Sequence, residues 1–441
     1  MGRRCIGLDV HREFAQVAIW ESGTVRHAGQ VEICGEDLRV FADSLGPEDE
    51  VAIEATCNTH AIVRAIEPRV ARVIVSNPMK TRAIAEAKVK TDKVDAAVLA
   101  ELLAADYLPS VWVADEETQA LRRQVARRTQ VVRQRTRLKN QVQAILHRNL
   151  VQRCPFADLF GVKGRCWLSD QCLPPDEHHA VQALVRQLDF HGQELRIIDA
   201  ALGRIALDRP EVRPLMTIPG VDATVALSLV AAVGDFRRFR TPEQLVSYLG
   251  LNPRVKQSGG KAATHGRITK NGRAHARGML VEAAFTASKI PGPLRAFYQR
   301  VRARRGTQIA IVATARKLVC LCWTMIERGE NYAFARQSLT DKKLRALELR
   351  AGKPAHRGQK GSAANYSLKE VRRRELELAE QAELAYRQQV ADWQARGPIK
   401  SGVAAANGTR LKRPSVGQAA RQASVPEPAL RSGVDHALSK A

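Results

Sequence analysis

Four acidic residues near the start of the chain have the spacing of a metal-dependent phosphoryl-transfer site. Asp9 closes a short apolar run, Glu54 closes a later one, and Asp92 and Asp95 lie three residues apart in a helical run. Residues three apart share one face of a helix. Carboxylates that converge from strand ends and a helix can hold two Mg²⁺ ions about 3.5–4 Å apart, which stabilise the attacking and leaving oxygens of a phosphodiester.

These acidic residues also have a simpler interpretation. Asp9 and Glu54 would be ordinary strand-end residues, and Asp92 and Asp95 would belong to a solvated helix face that also carries Lys93. Their joint position favours the metal site, because four converging carboxylates would repel one another without cations.

A serine in a glycine-rich, basic stretch is the second candidate. Ser258 precedes Gly259 and Gly260, and a hydroxyl on such a loop can attack a phosphorus atom. It must first be activated by a metal-bound oxygen, a neighbouring base or a pKa lowered by the substrate. Nearby cations would offset the charge of the transition state. The cations predicted to bind nucleic acid are Lys256, Lys261, Arg267, Lys270, Arg273 and Arg277. Asn271 is expected to cap the helix that follows. Composition alone leaves open that Ser258 is an ordinary loop hydroxyl.

The charge of the whole chain indicates a polyanionic partner. The 441 residues carry a formal net charge of +25, and the basic residues recur along the whole length. Nucleic acid fits better than a membrane, because no apolar run approaches the roughly 20 residues of a spanning helix. The basic start is not followed by a long apolar stretch, so we expect no export signal and a location in the cytoplasm, at the bacterial nucleoid.

The eight cysteines form no C-x-x-C pair, which is typical of ordinary thiols in a reducing compartment. A zinc site is the weaker alternative, because the spacing of its candidate ligands is irregular. Those ligands would be Cys154, Cys166, Cys172, His178 and His179.

The elements that must position these residues follow from hydrophobic periodicity. Residues 4–105 predict the order strand, strand, strand, helix, strand, helix, strand, helix, which is an α/β fold of the ribonuclease H and RuvC-like resolvase group. Residues 115–150 predict one long helix with an apolar stripe, and residues 180–207 predict its helical partner. The segment 155–175 between them is expected to be irregular.

Four regions result. Residues 1–108 form the RuvC-like domain, 109–208 a coiled-coil-like helical linker, 209–335 a helical domain that contains Ser258, and 336–441 a basic, partly disordered tail with one charged helix near 368–396. The segment 215–221 is similar to a helix-hairpin-helix turn, which would direct backbone N–H groups at a phosphate. A plain turn between two helices is the alternative.

Three segments resemble a known family. GLDVH (7–11), IEAT (53–56) and KTDKVDA (90–96) look like the DEDD motifs of one family of insertion-sequence transposases, which are relatives of the pilin-gene invertase. The resemblance implies that Asp9, Glu54, Asp92 and Asp95 bind Mg²⁺ in a resolvase-like domain. It also implies that Ser258, upstream of the segment 266–272, forms a phosphoserine link to DNA. Many relatives have a serine doublet, whereas Gln257 precedes the single serine here.

The same resemblance implies the partners. Members of this family act on the DNA of the element ends and the target, are guided by a structured noncoding bridge RNA, and assemble as homo-oligomers, here a dimer or a tetramer. Two other functions remain open from the residues: a junction-resolving nuclease that uses water, and a nonenzymatic architectural protein that binds nucleic acid by charge alone.

Overall fold

Five short segments near the N-terminus, each with at least one valine, form a five-stranded mixed sheet in the computed structural model, which describes residues 3–84, 91–259, 262–354 and 365–396. The strands are β1 (Cys5–Val10), β2 (Phe14–Glu21), β3 (Thr24–Glu32), β4 (Glu50–Glu54) and β5 (Arg72–Ser76), in the order β3-β2-β1-β4-β5. β2 is antiparallel to β1 and β3, and β4 is parallel to β1 and β5. The predicted mixed α/β organisation is confirmed.

Helices cover both faces of this sheet. They are α1 (Asp37–Asp43), α2 (Thr59–Ile66), α3 (Pro78–Ile84) and α4 (Asp92–Ala104). Residues of α1 and α2 pack with Ile6 and Leu8 on one face, whereas Leu99 and Leu103 of α4 pack with Cys5 on the other. Because side chains alternate along a strand, the odd-numbered residues of β1 face α4.

The chain divides into two units, residues 1–116 and 117–441. The second unit contains two long helices, α5 (Glu116–Arg148) and α7 (Pro175–Asp208). The boundary between the units falls after Glu116, the first residue of α5. Ion pairs join Glu117 near the start of α5 to Arg209 just after α7, and Arg148 at the end of α5 to Glu177 near the start of α7, so these helices run antiparallel. Both predicted long helices are confirmed. The segment between them is not wholly irregular, because α6 spans Val162–Ser169 and buries Leu168 in an apolar cluster.

A helical core forms the rest of the second unit. Its elements are α8 (Val212–Met216), α9 (Ala223–Val233), α10 (Pro242–Tyr248), the hairpin strands β6 (Pro253–Lys256) and β7 (Thr264–Ile268), α11 (Ala274–Ala287), α12 (Pro293–Arg305) and α13 (Thr307–Arg328). The predicted mostly helical second region is confirmed.

α13 corrects the expectation that no apolar run approaches a spanning length. Among the described residues it is the one helix long and apolar enough, by length and composition, to cross a membrane. Its residues Ala310, Leu318 and Cys322 are buried in the core cluster of the second unit, and Arg316 and Lys317 lie in its middle. Core helices of soluble proteins have the same composition.

Two helices occupy the region expected to be a tail. α14 spans Gln337–Arg350 and was not predicted, whereas α15, Lys369–Ala395, confirms the predicted charged helix. Leu347 of α14 belongs to the core cluster, and Glu383 of α15 is buried against α12. α14 and α15 are therefore packed helices and not parts of a loose tail. Residues 397–441, where disorder was expected, lie outside the described residues.

Candidate active site

The register of the sheet puts two of the predicted carboxylates on one face. Gly7 of β1 pairs with Ala52 of β4, and Leu8 with Ile53, so Asp9 and Glu54 are the next residues along two adjacent strands. Both face the side on which α4 lies, because Gly7 does so. A Cβ on Gly7 would lie 2.1 Å from the carbonyl oxygen of Ala96. The absence of a side chain there lets α4 approach the strand closely.

The N-terminus of α4 supplies the other pair. Thr91 is the N-cap, and its hydroxyl accepts a hydrogen bond from the backbone N–H of Val94. Asp92 and Asp95 therefore lie in the first helical turn, where the helix dipole stabilises negative charge. The side chain of Asp92 is exposed and that of Asp95 is half-buried.

Asp9 and Asp92 meet at a histidine that the sequence did not single out. The Nε2 atom of His11 lies 3.2 Å from a carboxylate oxygen of Asp9 and 3.3 Å from one of Asp92. His11 is two residues from Asp9, just past the end of β1, and this contact places its side chain beside that of Asp9. That i,i+2 spacing was the available signal, but the sequence alone does not show that α4 completes the cluster.

The electrostatics of Asp9 reflect this crowding. Its side chain is buried, with 7% of the residue exposed. Burial raises the pKa of Asp9, and the negative charges of Asp95 and Asp92 raise it further, against the opposing effect of His11. A cation between the carboxylates would remove this repulsion.

The donor set suits a divalent cation. One ligand atom each from Asp9, His11 and Asp92 lies within 4.8 Å of the others. Carboxylate oxygens are preferred by Mg²⁺ and Mn²⁺, and imidazole is compatible with the transition metals. The strand register places Glu54 on the same side of the sheet as Asp9. Asp95 lies close enough for its charge to raise the pKa of Asp9. Among the described residues, the cysteines considered for zinc take no part in a metal-binding group.

Ser258 lies in the second unit, in the connection between β6 and β7. These strands pair antiparallel, with Lys256 opposite Thr264, and Ser258 is exposed two residues beyond the end of β6. Gly259 has φ +58°, a left-handed conformation that favours glycine. The predicted contact residue Lys261 and its neighbour, residue 260, lie outside the described residues.

Close backbone approaches hold the base of this hairpin. Gly250 and Gly272 have φ +70° and +86°. A Cβ on Gly250 would lie 2.0 Å from the carbonyl oxygen of Asn271, and one on Gly272 would lie 2.0 Å from that of Tyr248. α11 begins after Arg273, which is its N-cap residue. Asn271 therefore does not cap α11, because it is used in the turn before the helix.

The predicted cations differ in their surroundings. Lys256, Arg267 and Lys270 are exposed on the hairpin and the turn that follows it. Arg273 donates through Nε to the hydroxyl of Tyr248 at 3.1 Å, and Arg277 donates to the carbonyl of Leu249 at 3.0 Å. Arg277 therefore supports the hairpin base, whereas the three exposed cations can reach a ligand.

Tyr248 is a second residue that the sequence did not single out. Burial raises the pKa of Tyr248, but Arg273, Arg238 and Arg122 outweigh that effect and lower it overall. Its hydroxyl also donates to the carbonyl of Ala232 at 3.0 Å. Tyr248 thus fixes Arg273 beside the end of α9.

A basic groove of about 660 Å³ lies between α5, α9 and α11. Four arginines line it, and none of the described lining residues is acidic. His275 lies in its wall, within 3.2 Å of the Ser228 hydroxyl. Burial lowers the pKa of His275, and Arg133 and Arg128 lower it further. The lining arginines are Arg122, Arg133, Arg137 and Arg273.

The turn between α8 and α9 is packed inside the second unit. Gly220 has φ +85°, and a Cβ there would lie 2.3 Å from the carbonyl oxygen of Ala283 in α11. Ile218 and Val221 are buried, and Asp222 caps α9 by accepting from the N–H of Val225. These contacts favour the alternative of a plain turn between helices.

Comparison with known proteins agrees with the motifs on both units. Residues 6–149 match the DEDD transposase model of the IS110 group, and residues 212–299 match the model described as transposase IS116/IS110/IS902 family. Together these matches cover just over half of the chain.

Three relatives illustrate the similarity. A Sinorhizobium fredii protein named as a transposase is 29% identical over 294 residues, which are 64% of this chain and 71% of that protein. The transposase for insertion sequence element IS1111A of Coxiella burnetii is 26% identical over 249 residues, 55% of this chain and 68% of that protein. The pilin gene-inverting protein of Moraxella bovis is 25% identical over 275 residues, 59% of this chain and 74% of that protein.

The chain joins a mixed sheet that carries an acidic cluster to a helical unit that carries a basic hairpin. With the family matches, these features define a DNA-processing enzyme of the transposase class. The nonenzymatic alternative is therefore excluded. The chain belongs to the IS116/IS110/IS902 family of insertion-sequence transposases.

Proposed function

We propose that this transposase cleaves and rejoins DNA through a phosphoserine intermediate at Ser258, with Mg²⁺ bound by Asp9, Glu54, Asp92 and Asp95. The meeting of Asp9 and Asp92 at His11 is the observation that carries the proposal, because it gathers negative charge where a cation is needed. Bound Mg²⁺ would supply Lewis-acid stabilisation of phosphate charge.

We assign the first unit to the ribonuclease H and RuvC-like group. The support is the strand order β3-β2-β1-β4-β5, in which only β2 runs against its neighbours and the acidic residues end adjacent parallel strands. Ligand sites in such sheets lie at the carboxyl ends of the strands. In this role Asp9 and Asp92 hold the cation, and His11 orients their carboxylates.

The serine step conserves phosphodiester bonds. The Oγ of Ser258 forms a bond to phosphorus while its hydroxyl proton passes to a base, and the bond from phosphorus to a sugar oxygen breaks, with that oxygen taking up a proton to leave as a sugar hydroxyl. A sugar hydroxyl of another strand then attacks the phosphoserine and releases the serine. Each step exchanges one phosphoester for another, so no external energy source is required. The exposed position of Ser258 beyond β6 supports access to a DNA strand.

The basic groove and the hairpin cations form the proposed DNA-binding surface. Lys256, Arg267 and Lys270 are exposed near the serine, and Arg273 belongs both to the hairpin base and to the groove lining. Arginine binds phosphate oxygens through paired N–H donors, so the groove suits a sugar-phosphate backbone. Lys261 and Arg277 complete the proposed set, and Arg277 would add positive charge to this surface while it holds the hairpin base. The helix-hairpin-helix contact has weaker support, because the α8–α9 turn is packed against α11.

Guidance by a bridge RNA and assembly as a dimer or tetramer are further parts of the proposal. The net charge of +25 supports an RNA partner in addition to DNA. The 33-residue helix α5 offers a long surface for a second protomer. We place the enzyme in the cytoplasm at the nucleoid, without a membrane partner. We retain the domain boundaries near residues 108, 208 and 335.

Ser258→Ala tests the nucleophile, with Ser247→Ala as the matched control because Ser247 is also an exposed serine. We expect Ser258→Ala to fold and bind DNA but to lose strand transfer, whereas Ser247→Ala keeps it. Denaturing a reaction of the unmodified enzyme should trap DNA on the protein, and peptide mapping should locate the link at Ser258. Cleavage by Ser258→Ala at the normal rate, without an adduct, would establish the water-dependent nuclease instead.

The acidic residues are tested on α4. The double variant Asp92→Ala/Asp95→Ala should lose recombination and Mg²⁺ dependence but keep nucleic-acid binding, because it removes metal ligands and no basic contact. Glu101→Ala, an exposed acidic residue on the same helix, is the control and should behave like the unmodified enzyme. Single substitutions of Asp9 and Glu54 by Ala should give the same loss. Full recombination by the double variant would rule out the metal site.

A further inference from the structure

Three backbone carbonyls of the α8–α9 turn converge on one lysine. The Nζ atom of Lys343 lies 2.7 Å from the carbonyl oxygen of Met216, 2.8 Å from that of Ile218 and 2.9 Å from that of Val221. Lys343 is on α14, more than a hundred residues away in sequence. An ammonium group has three N–H donors, so these carbonyls use all of them.

The shape of the turn explains why the carbonyls converge. The last carbonyls of a helix have no partner within the helix, and Met216 ends α8. Gly220, with φ +85°, then reverses the chain toward α9. The buried side chains of Ile218 and Val221 hold the turn in the core, so its carbonyl oxygens stay directed at one point.

A cluster of carbonyl oxygens around one point is the arrangement that binds a monovalent cation such as K⁺. In such sites the oxygens replace the hydration shell of the ion, and no side-chain charge is needed. A lysine ammonium is a compact point charge and can take the same position. Burial lowers the pKa of Lys343 to about 8, against the effect of Asp222 nearby, so the ammonium form predominates at neutral pH.

We propose that the carbonyls of Met216, Ile218 and Val221 form a monovalent-cation site, and that α14 fills it permanently with the Lys343 ammonium. The inference concerns the packing of the second unit and does not depend on the phosphoserine mechanism. α14 lies beyond residues 212–299, which match the family domain. α14, which lies outside that domain, therefore makes the stability of the α8–α9 turn independent of ions from solution.

The test removes the tethered charge and asks whether an ion replaces it. Lys343→Met keeps the length of the apolar stem, and Lys342→Met is the matched control because the neighbouring Lys342 is exposed. Thermal unfolding of the full chain is measured at equal ionic strength in chloride salts of K⁺, Na⁺ and N-methyl-D-glucammonium. Lys343→Met should melt several degrees lower in N-methyl-D-glucammonium and regain most of the loss, saturably, in K⁺ or Na⁺. The unmodified chain and Lys342→Met should not distinguish the salts.

Two results would overturn the inference. If Lys343→Met melts like the unmodified chain, the contacts of Lys343 with the three carbonyls are dispensable. If the variant is destabilised equally in every salt, the carbonyls need only hydrogen bonds. Lys343→Gln provides a second route if the methionine variant does not fold, because its amide donates N–H groups without charge. We expect it to fold, to melt below the unmodified chain and to gain stability with K⁺. Stability equal to the unmodified chain in all salts would exclude a need for charge.

Discussion

Glu383 on α15 allows the sharpest prediction about stability. Its side chain is 4% exposed and accepts hydrogen bonds from the backbone N–H of Gly292 at 3.0 Å, from Arg295 at 2.7 Å and from Arg387 at 2.6 Å. Gly292 is the N-cap of α12, where the helix dipole also favours a carboxylate. Burial raises the pKa of Glu383, but these donors outweigh that effect and lower it.

Glu383→Gln keeps the shape of the side chain but removes its charge. Breaking a buried ion pair costs about 3–5 kcal/mol. Arg295 and Arg387 are 27% and 52% exposed and can turn partly to water, which reduces the expected cost to about 2–3 kcal/mol. Because 1.4 kcal/mol corresponds to a factor of ten, amide-exchange protection of α15 should fall by about 30- to 150-fold.

Hydrogen exchange detected by mass spectrometry measures that protection. Glu377→Gln is the matched control, because Glu377 is exposed on the same helix and pairs only loosely with Arg373, at 3.9 Å. Its change in protection should stay within about twofold, as expected for a surface pair. Unchanged protection of α15 in Glu383→Gln, or an equal loss in both variants, would refute the anchoring role of Glu383.

Three further predictions concern the sheet, the groove and the C-terminal segment. Gly7→Ala should destabilise the first unit by about 3 kcal/mol, because its Cβ would lie 2.1 Å from a backbone carbonyl, whereas Gly35→Ala has open space and should be neutral in denaturant melts. The pKa of His275 in the folded chain lies below its unfolded value of 6.5, so the unfolded chain binds more protons below pH 6.5 and the free energy of unfolding falls there. His275→Gln should flatten that fall in urea titrations from pH 7 to 5. Truncation after Arg396 removes seven basic and two acidic residues, so it should keep the melting temperature and reduce the salt dependence of DNA binding, whereas truncation after Asn331 should lower the melting temperature.

Much of the first unit could be predicted because its signals are local. Apolar runs of strand length and alternation give the element order, and the positions of Asp9 and Glu54 at strand ends follow from it. Asp92 and Asp95 required only helical spacing. The contribution of His11 was not predictable, because it depends on how closely α4 approaches β1 at Gly7.

The second unit shows why other features escaped prediction. α14 buries few apolar residues, and its anchor is Lys343, a charged residue whose partners lie more than a hundred positions earlier. Charge normally indicates exposure, so the pattern gave no signal. Asn271 has the right residue type for a helix cap. The backbone of Asn271 instead packs closely against Gly250, in the turn before α11.

The insertion of α4 against Gly7 has a consequence for the order of folding. β1 is synthesised first, yet it pairs with β4 some 45 positions later, and Asp9 meets Asp92 only after α4 has docked. Such long-range contacts form slowly, because the entropy of closing the intervening chain is lost before the contacts form. A nascent chain that has not yet exposed residues 92–104 to solvent therefore has Asp9 but no partner helix for it. The proposed cation site is therefore completed late, when the last helix of the first unit has left the ribosome.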